Sequence, residues 1–202
     1  MNTFSIAFTL FLLMDAIGNV PLFIALLKDF DPKQQRKIIV RELLIALGII
    51  ILFAVLGEIF LLFLRIEQYT ISITGGIILF LIALKMIFPT AISQNEIQAT
   101  PTEPFIVPLA TPFIAGPAVI ASVMLYAKSE PFIVTLTAIF IAWIFTTLIL
   151  MGSSHLLKFL GHKGLIAGER LMGLILTLLA VQMFLEGISS YVTSSSYTSS
   201  PF

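Results

Sequence analysis

The sequence contains no cysteine. Disulfides, thiol nucleophiles and thiolate metal sites are therefore excluded. It has two histidines, His155 and His162, too few for a histidine-rich metal centre, and no metal site or cofactor is expected. Charge is also scarce. Only 11% of the 202 residues are Asp, Glu, Lys or Arg, against about a quarter in a soluble domain. Hydrophobic residues make up 58%, and the mean hydropathy is +1.08. One core of this size cannot hide that much apolar surface, so the excess must face lipid. A soluble enzyme, a nucleic-acid-binding domain and a disordered chain are excluded. No basic residue precedes the apolar run that begins at Phe4. A secretory signal needs such a positive start, so no cleaved signal is expected and the first helix stays.

What the chain does have is long apolar runs. A helix crosses a bilayer with about 20 apolar residues. Six stretches qualify: 4–27, 43–64, 71–88, 105–127, 132–157 and 165–188. They are continuously apolar rather than alternating, which excludes barrel strands. The domain reading is a single transmembrane unit. A first three-helix part covers 1–90, a cytoplasmic connection 91–103 and a second three-helix part 104–190. A Ser/Thr-rich tail at 191–202 is expected to be disordered.

The net charge of zero hides an alternation. Lys28, Lys33, Arg36, Lys37 and Arg41 lie by the first connection, Lys85 by the third, and Lys158, Lys163 and Arg170 by the fifth. Only Arg65 and Lys128 lie by even connections. Positive loops stay in the cytoplasm, which predicts odd connections inside and both termini outside.

The halves also resemble one another. At an offset of 97, Gly76, Ile78, Leu79, Leu81, Ala83 and Met86 fall on identical residues at Gly173, Ile175, Leu176, Leu178, Ala180 and Met183. At an offset of 96, Pro21 falls on Pro117. An odd number of spans per half forces the two halves into opposite orientations, an inverted-topology repeat of the kind many secondary transporters use. The fold class expected is thus an all-α membrane protein of six helices in two inverted three-helix repeats, with helices one and four broken near the midplane.

Those breaks are read from Asp15, Gly18, Asn19 and Pro21 in span one, and from Thr111, Pro112, Gly116 and Pro117 in span four. Proline removes a backbone donor and clashes with the preceding turn. In lipid the freed groups must be satisfied inside the protein or by a polar ligand. Paired interruptions are the best pointer to a midplane site, and these eight residues are the candidate substrate- or ion-binding set. Asp15 is an ionisable group mid-span, a functional candidate that can equally cap the broken helix. Asn19 follows one turn later on the same face. Thr111 matches Asp15 at the 96 offset, so the two half-sites are chemically unequal. Of the other polar residues, Glu58, Lys85, Glu186 and His155 are read as interfacial or structural, and Gln182 as an interhelical hydrogen-bonder. Thr74, Gly75 and Gly76 would let span three approach a broken helix closely. Gly164 and Gly168 form a GxxxG spacing.

No hydrolase, metalloprotease or nucleotide-binding motif occurs, so no enzyme activity is expected. The run Asp15-Ala-Ile-Gly18-Asn19-Val-Pro21-Leu-Phe23 resembles the first signature of the MarC family of membrane proteins. The run Pro108-Leu-Ala-Thr111-Pro112-Phe-Ile-Ala-Gly116-Pro117-Ala118 resembles its second. Ala16 departs from the family's usual Pro, and Ala118 from its frequent Gly. The resemblance implies a multi-pass protein of a prokaryotic inner membrane, with small neutral amino acids such as glycine or alanine as a substrate class. The function expected is secondary transport by alternating access, coupled to H+ or Na+. The alternatives are a non-transporting membrane scaffold or regulatory subunit, docking through the basic 28–41 loop, and an intramembrane enzyme built on Asp15, Glu58 or His155. The partners expected are the lipid bilayer, a small-molecule substrate and that ion, with no nucleic acid.

Overall fold

In the computed structural model, residues 2–27, 30–88 and 114–198 are described. They form seven helices, with no strand among the described residues: α1 (Thr3–Leu13), α2 (Ala16–Leu27), α3 (Pro32–Leu64), α4 (Gln68–Ile87), α5 (Pro117–Ser129), α6 (Phe132–Met151) and α7 (Ser153–Thr198). Among the described residues, five stretches are long and apolar enough to cross a membrane: Thr3–Ile24, Pro32–Gly57, Gln68–Ile87, Phe132–Met151 and Lys163–Ser194. The fourth predicted span is represented by α5 alone, 13 residues long. Its beginning, at 105–113, and the connection 91–103 lie outside the described residues.

Several boundaries differ from the sequence expectation, each for a local reason. Helix α3 starts well before residue 43, because Asp31 is extended and Pro32 occupies the first helical position. Proline is pre-set for that place, where its missing N–H is not needed. At 33 residues α3 is about 50 Å long, so its basic first turns project beyond a hydrocarbon core of about 30 Å. Helix α6 stops at Met151, and residues 153–157 belong instead to a short arm of α7. That arm ends at Gly161, whose φ of 67° and ψ of 174° only glycine adopts freely. Helix α7 then runs to Thr198, so residues 191–198 are helical rather than a disordered tail. Two features hold it there. Hydroxyls of Thr193 and Ser194 donate to the carbonyls of Ser189 and Tyr191 at 2.9 and 2.8 Å. The Tyr191 ring also meets Tyr69 edge-on at 5.3 Å.

The most extensive helix pairing is α4 with α7, which run antiparallel. Missing side chains make it close. A Cβ on Gly76 would lie 2.8 Å from the Ala180 carbonyl oxygen, and one on Gly173 would lie 3.1 Å from the Ala83 carbonyl oxygen. The contacts are reciprocal, because Gly76 matches Gly173 and Ala83 matches Ala180 in sequence. Elsewhere α2 packs on α6 and α7, while α5 packs on α3 and α4. Each of these half-length helices therefore rests on the other half of the chain. Gly75 meets α5 as expected, its added Cβ falling 3.0 Å from that of Ala121. On α6, Trp143 donates its indole N–H to the Leu43 carbonyl of α3 at 2.8 Å, tying the second spans of the two halves together. Large apolar side chains such as Phe63, Leu178 and Ile133, each more than 70% exposed, line the outside. Their burial belongs to lipid rather than to protein.

Candidate functional site

The first half of the site is a capped break between α1 and α2. The last turn of α1 tightens: the Met14 N–H reaches the Leu10 carbonyl, and the Asp15 N–H reaches Leu12 at 3.0 Å. Asp15 then turns the chain with a φ of 45°, a left-handed value tolerated best by Gly, Asn and Asp. Its carbonyl accepts the Asn19 N–H at 3.0 Å, opening α2. Its carboxylate Oδ1 accepts the Gly18 N–H at 3.1 Å. Asp15 is thus the N-cap of α2, where an acidic group also meets the positive end of the helix dipole. Asn19 completes the joint by donating its amide to the Met14 carbonyl at 3.2 Å. The backbone groups freed by the break are taken up by the two polar side chains the sequence placed there. Both are buried.

Gly18 is part of this joint. A Cβ at that position would run into the Asp15 carboxylate and the Met86 methyl. Around it, the Thr146 hydroxyl donates to the Met14 sulfur at 3.5 Å, Ile17 meets Gly168, and Glu169 lies within electrostatic reach of Asp15. Pro21 does not break the chain. It sits inside α2, where it removes the N–H that would have met the Ile17 carbonyl. The break falls six residues earlier than that proline.

In the second half, Gly116 is extended (φ −73°, ψ 165°) and N-caps α5, with Pro117 at the first helical position. The Gly116 carbonyl accepts the Ile120 N–H at 3.0 Å. Among the described residues no side chain caps this helix. Thr111 and Pro112 lie outside the described residues. Matching the helix starts pairs Asp15 with Gly116 and Ala16 with Pro117, an offset of 101 rather than 96. The two half-sites remain unequal, with a carboxylate in one and glycine in the other.

The two half-sites meet α4 at different points along its length. Ile17 and Gly18 touch Gly168 and Met86, toward the end where α4 stops. Ala118 and Ala121 face Gly75, and the Ser122 hydroxyl donates to the Met183 sulfur at 3.8 Å, near the middle of α4.

Two buried or half-buried carboxylates escaped the sequence reading. Glu169 is one. The other is Glu42, 2% exposed, whose Oε1 accepts the Arg41 guanidinium at 3.0 Å and whose Oε2 has no partner among the described residues. The signal for Glu42 was its period: Ala46 and Ile50, four and eight residues on, are both buried on one stripe. The expected interhelical bond of Gln182 is instead made within α7, to Glu186 at 2.7 Å. The side chains of Glu58 and His155 lie outside the described residues.

The MarC family of integral membrane proteins, as a family model, matches residues 1–192. UPF0056 inner membrane protein YhgN of Escherichia coli is 49% identical over 190 residues, covering 93% of this chain and 96% of that protein. A UPF0056 membrane protein of Buchnera aphidicola subsp. Baizongia pistaciae is 46% identical over 193 residues, covering 93% and 96%. One from Chlamydia pneumoniae is 40% identical over 181 residues, covering 89% and 90%. No solved structure matches the chain. With its apolar helices and its capped break at Asp15, the chain belongs to the MarC family of integral membrane proteins.

Proposed function

We propose that this protein is a secondary transporter of the inner membrane that moves small neutral solutes, glycine and alanine being the expected class, by alternating access. The reading takes the chain as two inverted three-helix repeats, with odd connections in the cytoplasm and both termini outside. The observation that carries it is the reciprocal packing. Gly76 lies on Ala180 and Gly173 on Ala83, while α2 rests on the second half and α5 on the first. Such an arrangement has two equivalent ways of tilting one half against the other, which alternating access requires.

In this reading Asp15 has two tasks. Its Oδ1 holds the α2 N-terminus, and its charge answers a proton, a sodium ion or a substrate ammonium arriving at the break. Asn19 and the Ile17 carbonyl freed by Pro21 supply neutral polar contacts within one turn. No bond is made or broken in the solute, so no catalytic residue is assigned. The test is uptake of radiolabelled glycine and alanine into proteoliposomes under proton and sodium gradients, wild type against Asp15→Asn. Gradient-driven flux lost in the variant supports the reading. Absence of flux for every small solute tried removes it.

A further inference from the structure

A cavity of about 340 Å³ opens away from the break, between the α3–α4 corner and α5. It is lined by apolar side chains together with Arg65, Glu67, Gln68, Ser72 and Lys128. Its volume falls in the range of small-ligand pockets, about 300–1,000 Å³. None of the described residues of the break lines it.

Its charges are unusual for their place. Eleven Lys and Arg residues occur in the chain, and only Arg65 and Lys128 lie by even connections. Both line this one cavity. Neither they nor Glu67 forms an ion pair among the described residues, so none of the three is neutralised by another. Arg65 also sits where a side chain is costly. It ends α3 in the left-handed conformation, φ 54° and ψ 37°, with its N–H on the Leu62 carbonyl and the Ile66 N–H on Leu61. Glycine is the favoured residue of that motif. Apart from Asp15 at the break, Arg65 is the only non-glycine residue with positive φ among the described residues. The corner places Arg65, an exposed residue, on the wall of the cavity.

We propose that this cavity is a second binding site, for the carboxylate of a small zwitterion, in which Arg65 and Lys128 hold the carboxylate and Glu67 answers the ammonium. Guanidinium and ammonium groups together favour a carboxylate, and arginine adds a bidentate fork. The single carboxylate beside them disfavours a purely anionic ligand such as a lipid phosphate. The role follows from the proposed transport and rests on that reading: an outer vestibule that collects solute before it reaches the break. Binding itself does not depend on it.

The experiment measures binding of L-alanine, propionate and ethylamine by saturation-transfer NMR in phosphatidylcholine nanodiscs, with every protein carrying Asp15→Asn so that the charge proposed to hold solute at the break is absent. Propionate lacks the ammonium and ethylamine the carboxylate. Alanine and propionate should bind and ethylamine should not. Arg65→Gly and Lys128→Gln should each weaken alanine at least tenfold, and Glu67→Gln should weaken alanine but spare propionate. Because glycine suits the backbone at position 65, the Arg65→Gly protein should melt no lower than wild type, so lost binding there is not lost folding. Alanine binding unchanged in the Arg65→Gly, Lys128→Gln double variant overturns the proposal. So does binding of none of the probes, or tight retention of phosphatidylglycerol by wild type but not by the double variant. Liposome uptake separates the two readings. Flux with an unchanged KM in the double variant removes the vestibule and keeps the transporter, whereas binding without any flux removes the transporter and its vestibule and keeps the binding site.

Discussion

Replacing Gly18 with alanine tests whether the break is held by the Asp15 cap. Helix propensity alone argues for a gain, since alanine is favoured over glycine inside a helix by about 1 kcal/mol. The geometry argues the other way. The new methyl would occupy the space of the Asp15 carboxylate and the Met86 methyl. Met86 is unbranched and swings aside at small cost. The carboxylate has no such freedom, because it is positioned by its bond to the Gly18 N–H at 3.1 Å. Losing an N-cap costs about 1–2 kcal/mol, and leaving a buried N–H unpaired costs about 1–3 kcal/mol. Taking the unpaired N–H at about 1–3 kcal/mol less the propensity gain of about 1 kcal/mol, the expected net loss is up to about 2 kcal/mol. Trp143 is the only tryptophan, and its indole joins α3 to α6, so its fluorescence reports unfolding in mixed micelles. A double-mutant cycle with Asp15→Ala isolates the cause. Without a carboxylate to displace, Gly18→Ala should become neutral or stabilising, a coupling of about 1 kcal/mol or more. A Gly18→Ala protein more stable than wild type, or single effects that add within about 0.3 kcal/mol, would refute the capping argument.

Asp15→Asn keeps a capping oxygen and a left-handed-tolerant residue, so its stability should stay within about 0.5 kcal/mol of wild type while gradient-driven uptake is lost. Gly76→Ala drives a methyl into the backbone of α7 and should destabilise by about 1–3 kcal/mol in the same unfolding assay. Gly173→Ala has more room, with its nearest backbone atom at 3.1 Å rather than 2.8 Å, and should lose less. Trp143→Phe removes the hydrogen bond to Leu43 and should cost about 1 kcal/mol, read by circular dichroism because the fluorophore is gone.

The spans were legible because lipid exposure writes itself as unbroken apolar sequence, and α4 and α6 lie close to where hydropathy put them. The interruption of span one was legible too, because a mid-span Asp, Gly, Asn and Pro leave few other readings. Its position was not. Proline looked like the breaker, yet losing one hydrogen bond at Pro21 is tolerated inside α2, whereas a left-handed residue at Asp15 redirects the whole chain. The 96 offset pairs two prolines with different jobs, one inside a helix and one opening it. Glu42 and Glu169 stayed hidden because sequence carries their charge but not their depth.

Sequence alone determined that the chain lives in lipid, that its charge is sorted between alternate connections, and that spans three and six share a pattern of small residues. These are properties of composition and period, and need no partner to be defined. Only the tertiary structure decided that Gly76 and Gly173 exchange neighbours across one antiparallel pair, that α2 and α5 each rest on the other half, and that Arg65 and Lys128 share a cavity. Each of these joins residues far apart in the chain, and such distances are set by how helices pack rather than by any local preference.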